Sequence, residues 1–238
     1  MKLLNKACQY HLPGKDALIR GAIFDLDGTL VDSTETIWRT SDHTLKMNGF
    51  RGIDRKTVEK VMGLTIFDLF LQVEPDLNEA QKRRLFEDYK KSYMNFIRHT
   101  KVLPNACEAL EDARSRGLKM ALVTTKSREN AEMISKFFGM RKFFDVVLGF
   151  EDTTEHKPSP EPISKAAFLL DLKPEAVVVV GDTEMDVRAG RRAGSATVAV
   201  TTGVTPLERL LREKPDYLIN SLSEMPEIFR DLAEPQGR

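Results

Sequence analysis

The sequence predicts an α/β protein: a parallel sheet flanked by helices, interrupted by a helical insertion. From about residue 104 onward, short apolar runs alternate with amphipathic segments of about ten to twelve residues, a pattern typical of parallel strand–helix–strand units. Between residues 33 and 103, apolar residues instead recur at helical spacing, and no strong strand run occurs. We therefore expect a Rossmann-like core and an inserted all-helical domain.

The elements follow from the apolar pattern and its breakers. Gly21 begins the short run Gly-Ala-Ile-Phe, which leads into a polar, glycine-containing loop and predicts the first strand. Asp32 and Glu35 have the spacing of a capping box for the first inserted helix. We expect inserted helices at 34–48, 55–62 and 78–99. Beyond Pro104 we expect helices at 106–116, 128–138, 160–170, 184–193, 206–212 and 224–231, and strands at 118–123, 144–148, 176–180, 196–200 and 217–219.

This order predicts a discontinuous domain. Residues 1–32 and 104–238 are expected to form the core, and residues 33–103 the inserted helical domain. Residues 1–20 form a leader onto the fold, and the sequence assigns it no role.

Composition excludes several classes of protein. The 238 residues contain 36 Lys+Arg and 36 Asp+Glu, so the formal net charge is zero and nothing favours general binding to nucleic acid. The longest plain aliphatic run, 176–180, is far below the roughly 20 residues of a membrane span. Two cysteines cannot make a disulfide framework. We expect a cytoplasmic protein, monomeric or homodimeric, with no membrane or nucleic-acid partner.

Chemistry-bearing residues follow the predicted strands. Ligands of an open parallel sheet bind outside the carboxyl ends of its strands, so the residues just after each strand are the candidates. They are acids, hydroxyls, one glycine and two lysines: Asp25, Asp27, Gly28 and Thr29 after the first strand, Thr124, Thr125 and Lys126 after the second, Lys157 some way along the loop after the third, and Asp182, Thr183 and Asp186 after the fourth.

Such a group of carboxylates predicts a metal site. Carboxylates close together repel one another and stay ionised when a cation joins them. With oxygen ligands and no His/Cys cluster, the expected cation is Mg²⁺, which keeps a substrate phosphate in its shell. Lys157 and the Thr124 hydroxyl would add positive charge and a donor, as phosphoryl transfer requires. An aspartate can attack phosphorus, and a second carboxyl can act as acid and base.

The motifs bear a family resemblance. Asp25-Leu-Asp-Gly-Thr29, Thr124, Lys157-Pro158 and Gly181-Asp-Thr-x-x-Asp186 resemble, in that order, the four motifs of the haloacid dehalogenase superfamily. The helical insertion after the first motif resembles the cap domain of its phosphoglycolate phosphatase-like and β-phosphoglucomutase-like branch. The resemblance runs from about residue 19 to the C-terminus.

The resemblance implies a role for each motif residue. Asp25 would be the nucleophile and a metal ligand. Asp27 would be the general acid/base and would offer its backbone carbonyl to the metal. Thr124 would bind the transferring phosphoryl group, and Lys157 would hold both Asp25 and the phosphate. The metal set is completed by Asp182 as a direct ligand and Asp186, which more indirectly steadies metal-bound water.

Two further residues are candidates for substrate contact. Thr125 stands where many members of the superfamily have Asn, a departure that bears on a phosphate or substrate contact rather than on the core chemistry. Gly63 resembles the cap loop that reaches the site in this branch, although a plain turn glycine explains it equally well.

The expected function is a Mg²⁺-dependent phosphatase of a small phosphorylated metabolite, with 2-phosphoglycolate the best single candidate from the resemblance. Pyrophosphate, a sugar phosphate or a nucleotide monophosphate stay open as substrates. A phosphosugar mutase of the β-phosphoglucomutase type and a non-catalytic regulatory member are the alternatives. Dehalogenation and phosphonate cleavage are disfavoured, because Asp27 does not match the first motif of those branches.

Overall fold

A computed structural model describes residues 18–233. The predicted leader at 1–20 therefore falls almost wholly outside the described residues. Within them, six strands form one parallel sheet: β1 (Gly21–Phe24), β4 (Lys119–Val123), β5 (Val146–Leu148), β6 (Val177–Gly181), β7 (Ala196–Val200) and β8 (Tyr217–Ile219). Their order is β5-β4-β1-β6-β7-β8. The predicted α/β class is confirmed.

The central strands are buried on both faces because helices cover the sheet on each side. Alternate residues of one strand point to opposite faces, so Ala22 and Phe24 join one apolar cluster while Ile23 joins another. The covering helices are α5 (Ala106–Ser115), α6 (Arg128–Phe137), α7 (Glu161–Leu169), α8 (Glu184–Ala193), α9 (Leu207–Arg212) and α10 (Met225–Ala233). Every residue of β6 is buried, as a central parallel strand requires.

Four helices occupy the segment after the first strand: α1 (Thr34–Met47), α2 (Arg55–Lys60), α3 (Ile66–Leu71) and α4 (Glu79–Phe96). The short strands β2 (Val31–Asp32) and β3 (Lys101–Val102) pair antiparallel where the chain leaves and re-enters the core. We call residues 33–103 the cap. Among the described residues, no helix has both the length and the apolarity to cross a bilayer.

One local prediction for the cap is wrong, and one helix of the cap was not predicted. The expected capping box of Asp32 and Glu35 does not form. The helix starts after Ser33, whose side chain makes no capping bond, and the Asp32 carboxylate instead accepts from the Thr34 amide at 3.1 Å. Helix α3 was not predicted, although Thr65 and Asp68 make a reciprocal capping box at its start.

Candidate active site

The carboxyl ends of β1, β4 and β6 bring the predicted motif residues together. Asp25 follows β1 directly, and its amide donates to Val180 O of the neighbouring β6 at 2.9 Å. Asp182 begins the loop after β6, and Asp186 lies in the first turn of α8. One carboxylate oxygen from each of Asp25, Asp182 and Asp186 lies within 4.8 Å of the others, and all three residues are buried.

Lys157 neutralises part of this charge. Its Nζ donates to Asp25 Oδ1 at 2.6 Å, to Asp186 Oδ1 at 2.6 Å and to Val123 O at 3.1 Å. An ammonium group has three protons, so these acceptors use all of them. Burial lowers the pKa of Lys157, but the attraction of Asp186 and Asp25 outweighs burial, and the pKa lies above its ordinary value. Lys157 therefore stays charged.

The ionised forms of the carboxylates remain unfavourable despite this lysine. Burial raises the pKa of Asp25 to about 7, and the pull of Lys157 only partly opposes it. Burial and the neighbouring charge of Asp25 hold the pKa of Asp182 well above its ordinary value. Three buried carboxylates with one lysine carry excess negative charge, which a divalent cation would balance.

Hydrogen bonds fix which oxygens face the centre of the cluster. Asp186 is the residue with both oxygens engaged, because Oδ2 accepts from the Thr183 hydroxyl at 2.6 Å and Oδ1 from Lys157. Thr183 is also the N-cap of α8 and accepts from the Asp186 amide. Asp182 Oδ1 accepts from the Thr29 hydroxyl at 2.9 Å. Among residues 18–233, nothing donates to Oδ2 of Asp25, which leaves that oxygen for a metal or a substrate.

Asp27 lies apart from the carboxylate cluster. Its Oδ1 accepts a hydrogen bond from the Ser33 hydroxyl, and its Oδ2 lies 3.4 Å from Lys126 Nζ. The side chain of Asp27 lines a cleft between core and cap, beside Thr124. The Thr124 hydroxyl accepts from the Lys126 amide at 3.2 Å. Asp27 thus lines the cleft and is not one of the three clustered acids.

The cap closes over these groups and forms the opposite side of the cleft. The cleft has an empty volume of about 660 Å³, part of it open to solvent. We call its apolar cap side chains the cap wall: Ile37, Val61, Met62, Leu64, Ile66, Leu69, Phe86 and Tyr89.

A loop of the cap touches the core at the cleft. Gly63 has a φ of +89°, and a Cβ there would come within 2.7 Å of Thr183 Cγ2. Glycine is therefore required both by the backbone conformation and by the close approach. The Thr125 hydroxyl donates to Leu64 O at 3.2 Å, so this side chain joins core to cap. Both predicted residues line the cleft.

Several groups at the site have no role in the sequence prediction, although Thr29 and Lys126 stand among its strand-end candidates. Thr29, Ser33 and Lys126 contact predicted site residues. A Cβ on Gly203, in the loop after β7, would overlap Asp182 Oδ2. Gly203 follows a strand end, as the predicted residues do, so the same rule would have found it.

Comparison with known proteins decides the family. Residues 22–200 match the family model of the haloacid dehalogenase-like hydrolases. The protein belongs to this family. It is 33% identical over 217 residues to the pyrophosphatase PpaX of Bacillus cereus, an alignment that covers 90% of this chain and 98% of that protein.

Solved structures agree with this assignment. A predicted phosphoglycolate phosphatase from Haemophilus somnus superposes with a TM-score of 0.79 at 25% identity, covering 89% of this chain and 98% of that one. β-Phosphoglucomutase from Clostridium difficile shares the fold, with a TM-score of 0.77 at 22% identity over 90% of this chain and 97% of that one. The chain is a haloacid dehalogenase-like phosphatase acting on a small phosphorylated compound.

Proposed function

We propose that the protein is a Mg²⁺-dependent phosphatase that transfers a phosphoryl group to Asp25 and then to water. One observation carries this proposal: Lys157 bridges Asp25 and Asp186 at 2.6 Å each, at the base of the cleft. This lysine holds the nucleophile in position and leaves its second oxygen for phosphorus. The core of 18–32 and 104–233 would supply the chemistry, and the cap would enclose the substrate.

The donor set fits a hard divalent cation. Asp25 and Asp182 offer buried carboxylate oxygens, and the described residues place no His or Cys ligand with them. Both carboxylate oxygens of Asp186 accept hydrogen bonds, one from Thr183 and one from Lys157. Asp186 would therefore position metal-bound water and neighbouring groups rather than coordinate the metal directly. Asp27 would contribute its backbone carbonyl. Bound Mg²⁺ would supply positive charge to neutralise the transferring phosphoryl group.

The chain's own residues account for the bond changes. Oδ2 of Asp25 attacks phosphorus, the Asp25–phosphorus bond forms and the bond to the leaving oxygen breaks. Asp27 gives its proton to that oxygen. Water then attacks phosphorus and yields its proton to Asp27. The Asp25–phosphorus bond breaks, and this step releases phosphate and restores the Asp25 carboxylate. Ser33 holds the Asp27 carboxyl group, and the Thr124 hydroxyl would donate to a phosphoryl oxygen. Lys157, whose three protons go to Asp25, Asp186 and Val123, would act on the phosphoryl group through its charge.

The substrate we propose first is 2-phosphoglycolate, with pyrophosphate next. A similar protein bears the name pyrophosphatase, and a similar structure that of a phosphoglycolate phosphatase. Thr125 and Gly63 would shape the far end of the substrate site through the contact between cap and core.

The test is hydrolysis of p-nitrophenyl phosphate with Mg²⁺, with EDTA, and by Asp25→Asn. We expect EDTA to abolish turnover and the variant to lose about three orders of magnitude or more in kcat. Asp171→Asn is the matched control, because Asp171 is fully exposed and does not line the cleft. Undiminished turnover by Asp25→Asn would reject the mechanism. Incubation with β-glucose 1-phosphate checks for a mutase, which would give an isomer without free phosphate.

A further inference from the structure

Lys126 is a buried cation at the cleft that the proposed chemistry does not use. It follows β4, is 9% exposed and lines the cleft. Its Nζ lies 3.4 Å from Asp27 Oδ2 and 4.3 Å from the ring centroid of Tyr93. A lysine is rarely buried this far without serving an anion, and Asp27 also has a proton to deliver elsewhere.

No other cation of the described cleft lining is available to a leaving group. Lys157 donates its three protons to Asp25, Asp186 and the carbonyl oxygen of Val123. Of the residues 18–233 that line the cleft, none besides Lys126 and Lys157 is Lys, Arg or His. The cap wall carries no charge, and Thr65, a polar cap residue that also lines the cleft, donates its hydroxyl proton to Asp68. Placing an unpaired anion against this side of the cleft would be costly.

The position of Lys126 defines where a substrate anion can lie. The leaving oxygen must meet Asp27, since Asp27 gives it a proton. Ser33 occupies Oδ1 of that carboxyl group, so the leaving oxygen meets Oδ2, which lies 3.4 Å from Lys126 Nζ. An anionic group one or two bonds from the leaving oxygen would therefore contact Lys126. An anionic group farther along the leaving group would lie against the cap wall.

We propose that Lys126 is a specificity-determining residue that binds an anionic group next to the leaving oxygen. The substrate class is compact phosphoesters or phosphoanhydrides whose leaving group carries a carboxylate or a phosphate at that position. This inference rests on the proposed phosphatase function and narrows it. Long or uncharged leaving groups lack this contact.

A matched pair of substrates tests the proposal. 2-Phosphoglycolate and 2-hydroxyethyl phosphate have the same length and differ in the carboxylate. We expect the wild type to prefer 2-phosphoglycolate in kcat/KM, and Lys126→Met to reduce that preference by about 10- to 100-fold. The variant should affect pyrophosphate as it affects 2-phosphoglycolate. Lys126→Arg, which keeps the charge, should restore part of the preference. Lys136→Met, at an exposed lysine, should leave it unchanged.

Each outcome supports or overturns the proposal. A wild type that hydrolyses both esters equally well, or an equal loss on both in Lys126→Met, would show that Lys126 serves only to support Asp27 and Tyr93. Either result leaves the phosphatase function standing, because 2-hydroxyethyl phosphate still reports turnover. Hydrolysis of neither ester, together with retained p-nitrophenyl phosphate turnover in Asp25→Asn, would instead reject the underlying function.

Discussion

Replacing Lys157 by methionine should destabilise the protein as well as inactivate it. The ammonium group is buried and holds Asp25 and Asp186 at 2.6 Å each. Methionine preserves much of the volume and removes the charge, so two carboxylates are left facing each other beside Asp182. Breaking a buried ion pair by removing one partner costs about 3–5 kcal/mol. We expect a loss of that size in the free energy of unfolding.

The loss should depend on pH. The pKa of Asp25 is raised from 3.8 to about 7, so the folded state binds its proton more tightly than the unfolded state does. The contribution of Asp25 to stability is therefore highest below about pH 4 and declines as pH rises through 7. Without Lys157 the pKa of Asp25 rises further, so the decline in stability continues to higher pH. The destabilisation should be larger near pH 8 than near pH 5.

Urea unfolding in EDTA measures this effect without a contribution from metal. Lys136→Met, at a lysine with an exposed side chain, serves as the control and should lie within about 0.5 kcal/mol of the wild type. A loss below about 1 kcal/mol near pH 8 would refute the reasoning. A loss that does not change with pH would refute the part that concerns Asp25.

Three further results are expected. Gly203→Ala should weaken magnesium binding by about tenfold or more, because a Cβ would overlap Asp182 Oδ2. Calorimetry measures this affinity, and an unchanged value would contradict a metal-binding role for Asp182. Magnesium should raise the Tm of the metal-free wild type more near pH 8 than near pH 5, since protons on Asp25 compete with the metal; the reverse order would be inconsistent. Ser33→Ala should lower kcat by about tenfold, measured at saturating substrate, because Asp27 loses its hydroxyl donor; a change in KM alone would not fit.

The order of core elements could be predicted because each core strand is a compact apolar run. Every residue of Val177–Gly181 is buried, and its run of four valines is typical of a parallel strand that is covered on both faces. The small strands β2 and β3 have two residues each, too few for a pattern. Helix α3 is six residues long and mostly apolar, so its sequence does not distinguish a helix from a strand.

The site was predictable where chemistry and strand position coincide. Asp25, Lys157 and Asp182 each follow a strand, and their residue types suggest the reaction. Contacts between distant residues were not predictable. Thr29 and Asp182 are 153 positions apart, and nothing in the local sequence pairs them. Lys126 stands at a predicted strand end, but the sequence does not show that it lines a cleft whose opposite side is formed by the cap wall. That arrangement is what makes Lys126 the cation available to a substrate anion.

The most direct test of the account is to locate the phosphoryl group during turnover. The protein with Mg²⁺ and 2-phosphoglycolate or pyrophosphate is quenched in acid within the first turnover, digested, and analysed by mass spectrometry. We predict a phosphorylated peptide in which Asp25 carries the group, and its absence from Asp25→Asn. Phosphate on another residue, or rapid hydrolysis by Asp25→Asn, would contradict the claim that Asp25 is the nucleophile.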